Sequence, residues 1–389
     1  MALQKLPQRK ELTMWNKKQR FLRKILSASL LSFVFASVGM PIASLKEIPA
    51  DSPQIQYFGR WDVRDGVYRC GFGATYIKAN FTGTSLKADL EGKGIWWRVS
   101  IDGSEFRRLS PQGKDTVLAE NLQPGEHKVL FVRSTEGQAG INEFRGFIVD
   151  DDADLLQPDP WKKRRLEFVG DSITAGAMNE GKFENDNYHD VEDNDMAYGP
   201  QLARMLDADY SVIAKSGQGL VHNYTEASPY RGVHTKDSYQ WTFFYNQFSP
   251  ENLAWDTRKF PVDAIILAIG TNDFSASSHN TPSAKEFKKG YKELIATVRR
   301  MNPGKAIICT EPIPESCGSI TRDWIRKVVA DANAKGDKQV YFIPINEKGS
   351  LLEESDYTDG TTHPTKNGDT KIANYLKDKV AGILGWKLE

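Results

Sequence analysis

The sequence is poor in cysteine: 389 residues hold three, Cys70, Cys309 and Cys317. That excludes a disulfide-built scaffold, and none of the three has a Cys-x-x-Cys metal spacing. Cys309 and Cys317 are close enough in sequence to pair in an oxidising compartment; the other reading is three buried or half-buried thiols. Net charge is missing too, with 51 Lys plus Arg against 51 Asp plus Glu. A nucleic-acid binder needs a basic footprint, and the whole chain has none. The apolar run at residues 25–40 is shorter than the roughly 20 residues of a bilayer-spanning helix. What is present is 40% hydrophobic and 11% aromatic residues. That composition builds real cores and excludes a disordered or fibrous chain. At roughly 100–200 residues per domain, two or three domains are expected.

The zero charge conceals an asymmetry. Residues 1–24 hold eight bases and one acid, Glu11, so the rest of the chain carries about −7. The apolar run ILSASLLSFVFASVGM follows, then small residues at Ala43 and Ser44. Basic, apolar and small segments in that order form the layout of a secretory signal peptide over residues 1–43. Cleavage after Gly39 and after Ala43 are equally readable, and the alternative is an uncleaved anchor. The basic region is long, and a start at Met14 makes it ordinary. The expected location is outside the cytoplasm, secreted or periplasmic.

Residues 55–150 read as a β-sandwich module. Ile95, Trp97, Val99 and Ile101 fall on one face of a strand, and Leu86, Ala88 and Leu90 on one face of another. YIKANF and HKVLFVR give further strands, and glycine turns at Gly83, Gly92, Gly94, Gly103 and Gly125 separate them. Trp61 and Trp96 are the right chemistry to stack on sugar rings, or else they pack in a core or between domains. Trp97 belongs to the core face. Residues 151–162, DDADLLQPDPWK, are acidic with two prolines and read as a linker.

Residues 163–389 alternate strands and helices. Strand-length apolar runs occur at 166–170, 210–214, 264–269, 306–309 and 340–345. Amphipathic helices are expected at 283–301, 321–335 and 366–384. Such alternation predicts a parallel sheet with helices on both faces, and its sites lie at the carboxyl ends of the strands. Four segments stand at such ends. Gly170-Asp171-Ser172 places a hydroxyl at a strand-to-loop turn, where a base and backbone N–H groups can activate it and hold an oxyanion. Ser216-Gly217-Gln218-Gly219 lets backbone approach a ligand. Gly270-Thr271-Asn272-Asp273 offers a side-chain amide donor, and Asp359 to Pro364 offers His363 just ahead of the last helix. Each alone is compatible with ordinary turn or capping chemistry.

In this order the four blocks resemble the SGNH, or GDSL-type, hydrolase superfamily. The β-rich front, the loop after GDSIT, DYSVIAKSGQGLVHNY and LAIGTNDF are similar to carbohydrate esterase family two, with its acetyl xylan esterases. The resemblance covers about residues 55–385. It implies a jelly-roll module joined to a three-layer α/β/α domain, and hydrolysis of O-acetyl esters on xylan and glucomannan. It also implies Ser172 as nucleophile, His363 as base, and an oxyanion hole of the Ser172 and Gly217 N–H groups with the Asn272 amide. One departure stands out. The superfamily places an acid three residues before the histidine, where this chain has Gly360; Asp359 lies one step further away. Either Asp359 reaches His363 and completes a triad, or a backbone carbonyl orients the imidazole in a dyad.

The segment 180–195, EGKFENDNYHDVEDND, lacks the spacing of a helix–loop–helix calcium site and reads as a solvated loop rimming the cleft. Tyr188, Tyr224 and Trp241 are candidate sugar contacts, with Trp255 beside them. No metal or organic cofactor is expected. The expected partner is an acetylated polysaccharide or oligosaccharide, with no nucleic acid and no membrane once the signal is removed. An esterase for other acyl groups, or a carbohydrate-binding protein with a decayed site, are the competing readings.

Overall fold

The structure is a computed structural model that describes residues 45–182, 188–243, 253–274 and 281–388. The expected signal peptide, residues 1–43, lies outside the described residues.

The front module is two antiparallel sheets. One contains β1 (Leu45–Pro49), β3 (Trp61–Arg64), β4 (Val67–Cys70), β6 (Leu86–Glu91), β9 (Gly113–Ala119) and β11 (Asn142–Asp150). Its order is β3-β4-β11-β6-β9, with β1 also on β11. The other contains β2 (Gln56–Phe58), β5 (Tyr76–Gly83), β7 (Trp97–Ile101), β8 (Arg107–Leu109), β10 (Gly125–Arg133) and β12 (Leu155–Leu156). Its order is β12-β5-β10-β7-β8, with β2 also on β5. Leu86, Ala88, Leu90, Ile77, Ala79, Phe81, Trp97 and Val99 point into a shared core, as the period-two alternation requires. The module reaches beyond its expected bounds of 55 and 150. β1 precedes residue 55, and the stretch 151–162, read as a linker, carries β12 paired with Phe81 and Asn80. A two-residue strand is too short for any periodicity to reveal.

The second part is a five-stranded parallel sheet, β14-β13-β15-β16-β17. Its strands are β13 (Arg164–Gly170), β14 (Ala208–Ala214), β15 (Ala264–Ala268), β16 (Ala306–Thr310) and β17 (Val340–Ile343). β14, β15 and β16 are buried along their whole length, because helices cover both faces. The helices are α1 (Tyr198–Met205), α2 (Thr235–Ser238), α3 (Ala284–Met301), α4 (Glu315–Ala334) and α5 (Lys366–Leu384). Ser283 caps α3 by accepting from the Glu286 N–H, and Thr365 caps α5 by accepting from the Gly368 N–H. α4 starts six residues before the expected 321. Cys70, Cys309 and Cys317 are buried free thiols, so the readable Cys309–Cys317 disulfide is not formed.

One core runs through both parts. Phe58, Phe72, Ala74, Tyr76 and Val132 of the front module pack with β13, β14 and β15. Fully buried Arg60 crosses the junction. It donates to the Trp241 carbonyl at 2.6 Å and meets Glu167 of β13 at 3.3 Å. Glu167 also accepts from Tyr239 Oη at 2.7 Å. Lys78 and Tyr76 both donate to Asp209 of β14, at 2.7 and 3.0 Å. No helix of the described residues is long and apolar enough to cross a membrane.

Candidate active site

Ser172 follows directly on β13. Gly170 is required there, since a Cβ would lie 2.6 Å from the Ala268 carbonyl of the neighbouring strand. The chain then turns tightly. The Ala175 N–H donates to the Asp171 carbonyl at 2.9 Å, and the Ala177 N–H to the Ser172 carbonyl at 3.0 Å. Burial pushes the Asp171 carboxyl up to about 6.

The second and third blocks are tied together. Gly217 takes a left-handed φ of 75° after β14. Asn272, after β15, donates its side-chain amide to the Gln218 carbonyl at 3.0 Å. The fully buried Asp273 carboxylate accepts the N–H groups of Leu220, Val221 and His222 at 2.7, 2.9 and 3.0 Å. Burial raises it to about 6 against the pull of those three donors.

The fourth block is a closed loop. The Thr358 N–H donates to the His363 carbonyl at 2.8 Å, and Tyr357 bridges to Pro364. Within it Asp359 Oδ1 accepts the N–H groups of Thr361, Thr362 and His363 at 3.1, 2.7 and 3.1 Å. Asp359 Oδ2 lies 2.7 Å from His363 Nδ1, and His363 Nε2 lies 3.0 Å from Ser172 Oγ. Gly360 absorbs the additional residue with a left-handed φ of 84°. Partial burial works to raise the Asp359 carboxyl, but the imidazole and the three N–H groups outweigh it and hold it well below the usual carboxylate range. An Nδ1–H donated to an ionised Asp359 leaves Nε2 free to accept the serine proton.

Ser172, Gly217, Asn272, Asp359, His363, Tyr188 and Tyr224 line one cleft of about 960 Å³. Trp241 does not line it; the chain there turns its carbonyl to Arg60 at the junction of the two parts. Trp255 is likewise buried, 5.6 Å beneath the same guanidinium. Trp61 is core, and Trp96 is held by Asp190 at 2.7 Å and covered by Arg108 at 4.7 Å. The expectation of a solvated acidic loop also needs correction. Residues 183–187 lie outside the described residues, but Glu192, Asp193 and Asp195 are buried. Arg98 pairs with Asp193 at 2.7 Å and Arg204 with Asp195 at 2.8 Å, which is how these charges leave water.

The sequence reading missed the front module's share of the site. Gln138 and His189 also line the cleft, and Glu136, His189 and Glu192 each bring a ligand-capable atom within 4.8 Å of the others. Those three are linked by hydrogen bonds: Glu192 Oε1 accepts from His189 Nδ1 at 2.8 Å and from the Glu136 N–H at 3.0 Å. Nothing around Glu136 in the sequence marks it, because its neighbours in the cleft are distant in the chain.

Comparison with known proteins agrees with this architecture. Residues 57–159 match the family described as Carbohydrate esterase 2 N-terminal, and residues 168–371 match the GDSL-like Lipase/Acylhydrolase family. The Cellulase/esterase CelE of Acetivibrio thermocellus is 31% identical over 86% of this chain, which spans 40% of that protein's length. An Acetylxylan esterase / glucomannan deacetylase of Cellvibrio japonicus is 28% identical, over 85% of this chain and 87% of that protein. A family two carbohydrate esterase from Clostridium thermocellum, solved in complex with cellohexaose, superposes with a TM-score of 0.75. It is 29% identical and covers 86% of this chain and 100% of its own. A family two esterase from Cellvibrio japonicus shares the fold at 22% identity, with a TM-score of 0.78 over 89% of this chain and 99% of its own. The chain belongs to carbohydrate esterase family two, among the GDSL-like ester hydrolases.

Proposed function

We propose that the protein is a secreted serine esterase that removes O-acetyl groups from plant cell-wall polysaccharides such as xylan and glucomannan. The observation that carries this is the hydrogen-bonded line Ser172–His363–Asp359, at 3.0 and 2.7 Å, on the wall of an open cleft. The relatives' names supply the substrate class, and the order of basic, apolar and small residues in 1–43 supplies the export.

Ser172 Oγ attacks the acetyl carbonyl carbon while its proton passes to His363 Nε2. The tetrahedral oxyanion rests on the Ser172 and Gly217 N–H groups and the Asn272 amide. The bond to the sugar oxygen breaks, and that oxygen takes the proton from His363. A water then gives a proton to His363 and attacks the acetyl-serine, releasing acetate and restoring Ser172. Asp359 keeps the imidazole in the tautomer that both half-reactions need. Tyr188 and half-exposed Tyr224 offer aromatic surface to the sugar.

Acetate release from acetylated xylan and acetylated glucomannan tests this reading. The protein should release it, and Ser172→Ala should lose at least about 10³-fold. Release that persists in the variant, or faster cleavage of longer acyl esters, would overturn it.

A further inference from the structure

Ser216, immediately before the oxyanion donor Gly217, is gripped at all of its polar groups. Its N–H donates to Glu136 Oε2 at 2.8 Å. Its carbonyl accepts from Gln138 Nε2 at 3.2 Å. Its hydroxyl lies 2.7 Å from Tyr188 Oη. Two of the three partners belong to the front module, in the loop after β10. That loop is itself pinned: fully buried Arg133 donates to the carbonyls of Thr135, Glu136 and Gly140 at 2.8, 3.0 and 2.7 Å. Glu136 is also fully buried, so its carboxylate has no bulk water to turn toward. On the far side, Asp273 and Asn272 hold residues 218–222. The peptide that carries the Gly217 N–H is the one whose carbonyl Gln138 grips. Gly217 has no side chain and a left-handed φ, and its own carbonyl accepts from the Tyr224 N–H at 2.8 Å, so the orientation of its N–H depends on how Ser216 is held.

We infer that Glu136 is a positioning residue for the esterase reaction: it anchors Ser216 by its N–H while Gln138 holds the Ser216 carbonyl, whose peptide carries the Gly217 N–H, and the front module thereby completes the oxyanion hole. This rests on the serine-esterase reading above. A donor aimed at the developing oxyanion gains its strength in the transition state, so misaiming it lowers kcat and leaves KM nearly unchanged. Glu136→Gln keeps a carbonyl oxygen for the Ser216 N–H, whereas Glu136→Ala keeps none.

The test measures kcat and KM for hydrolysis of 4-nitrophenyl acetate by the full chain, with thermal unfolding as the check on folding. Glu136→Ala should lower kcat by about 10- to 100-fold at a KM within about twofold, because misplacement near 1 Å is worth about that much. Glu136→Gln should recover most of the loss. Exposed Gln138→Ala, which leaves the fold undisturbed, should lower kcat by about threefold, as expected for one weak hydrogen bond. Wild-type kcat in a folded Glu136→Ala, or a loss seen in KM alone, would overturn the inference, as would an unchanged Gln138→Ala should Glu136→Ala not fold. Ser172→Ala run in parallel keeps the two claims apart: activity surviving there sinks the serine reading, while its loss beside an unaffected Glu136→Ala sinks only the positioning role.

Discussion

At the scale of residues, the line from Ser172 to Asp359 turns on one inserted position. The family's usual acid position is Gly360 here, and the sequence leaves a triad and a dyad equally open. The structure places the Asp359 carboxylate 2.7 Å from the imidazole because three successive N–H groups converge on its other oxygen. Only a residue at ease with φ near 84° lets the chain fold back so sharply, and Gly360 is that residue. No alignment of block lengths reveals this, since it depends on backbone dihedrals. Asp359→Asn tests it: the amide still accepts the three N–H groups but presents N–H to Nδ1. It should lower kcat by about 10²- to 10⁴-fold with little change in thermal midpoint. An imidazole oriented by a backbone carbonyl would leave kcat unaffected.

Elements were legible where burial is simple. β14, β15 and β16 are covered on both faces, so they read as unbroken apolar runs, and α5 starts and stops where its period predicts. α1 was not legible, since Gly199-Pro200 looks like a helix breaker. In the fold Pro200 stands in the first turn, where no intrahelical N–H is needed, and Gly199 lies against Phe168, 2.7 Å from where a Cβ would be. β11 hides behind a register shift between Phe144 and Gly146 that breaks its alternation. The Arg60–Glu167 pair between β3's approach and β13 gives a test at this scale. Arg60→Met strands a buried carboxylate and should cost about 3–5 kcal/mol in denaturant unfolding. Adding Glu167→Gln should recover much of that, because the two residues share one interaction.

For the whole molecule, buried acids set the dependence of stability on pH. Burial raises Glu192 and Asp193 to about 7, and Asp171 and Asp273 to about 6. A carboxyl that binds its proton more tightly folded than unfolded weakens the fold as pH rises from its ordinary value, about 4, to its folded value. His189, raised by its hydrogen bond to Glu192, acts in the same sense, since its contribution is lost as pH climbs through its folded value. Asp359 and Asp150 act oppositely: hydrogen bonds outweigh burial and hold them low, so their contribution is present above the ordinary range and lost in acid. The thermal midpoint should therefore be highest near about pH 5 and fall toward about pH 8, which calorimetry across that interval checks. A midpoint rising over the same interval would contradict the assignment. The junction itself carries a different consequence. With Phe58, Phe72 and Tyr76 built into the hydrolase core and Arg60 spanning to β13, the front module is no accessory that can be traded. Anyone grafting this esterase onto another scaffold must transplant residues 45–388 as a single cassette.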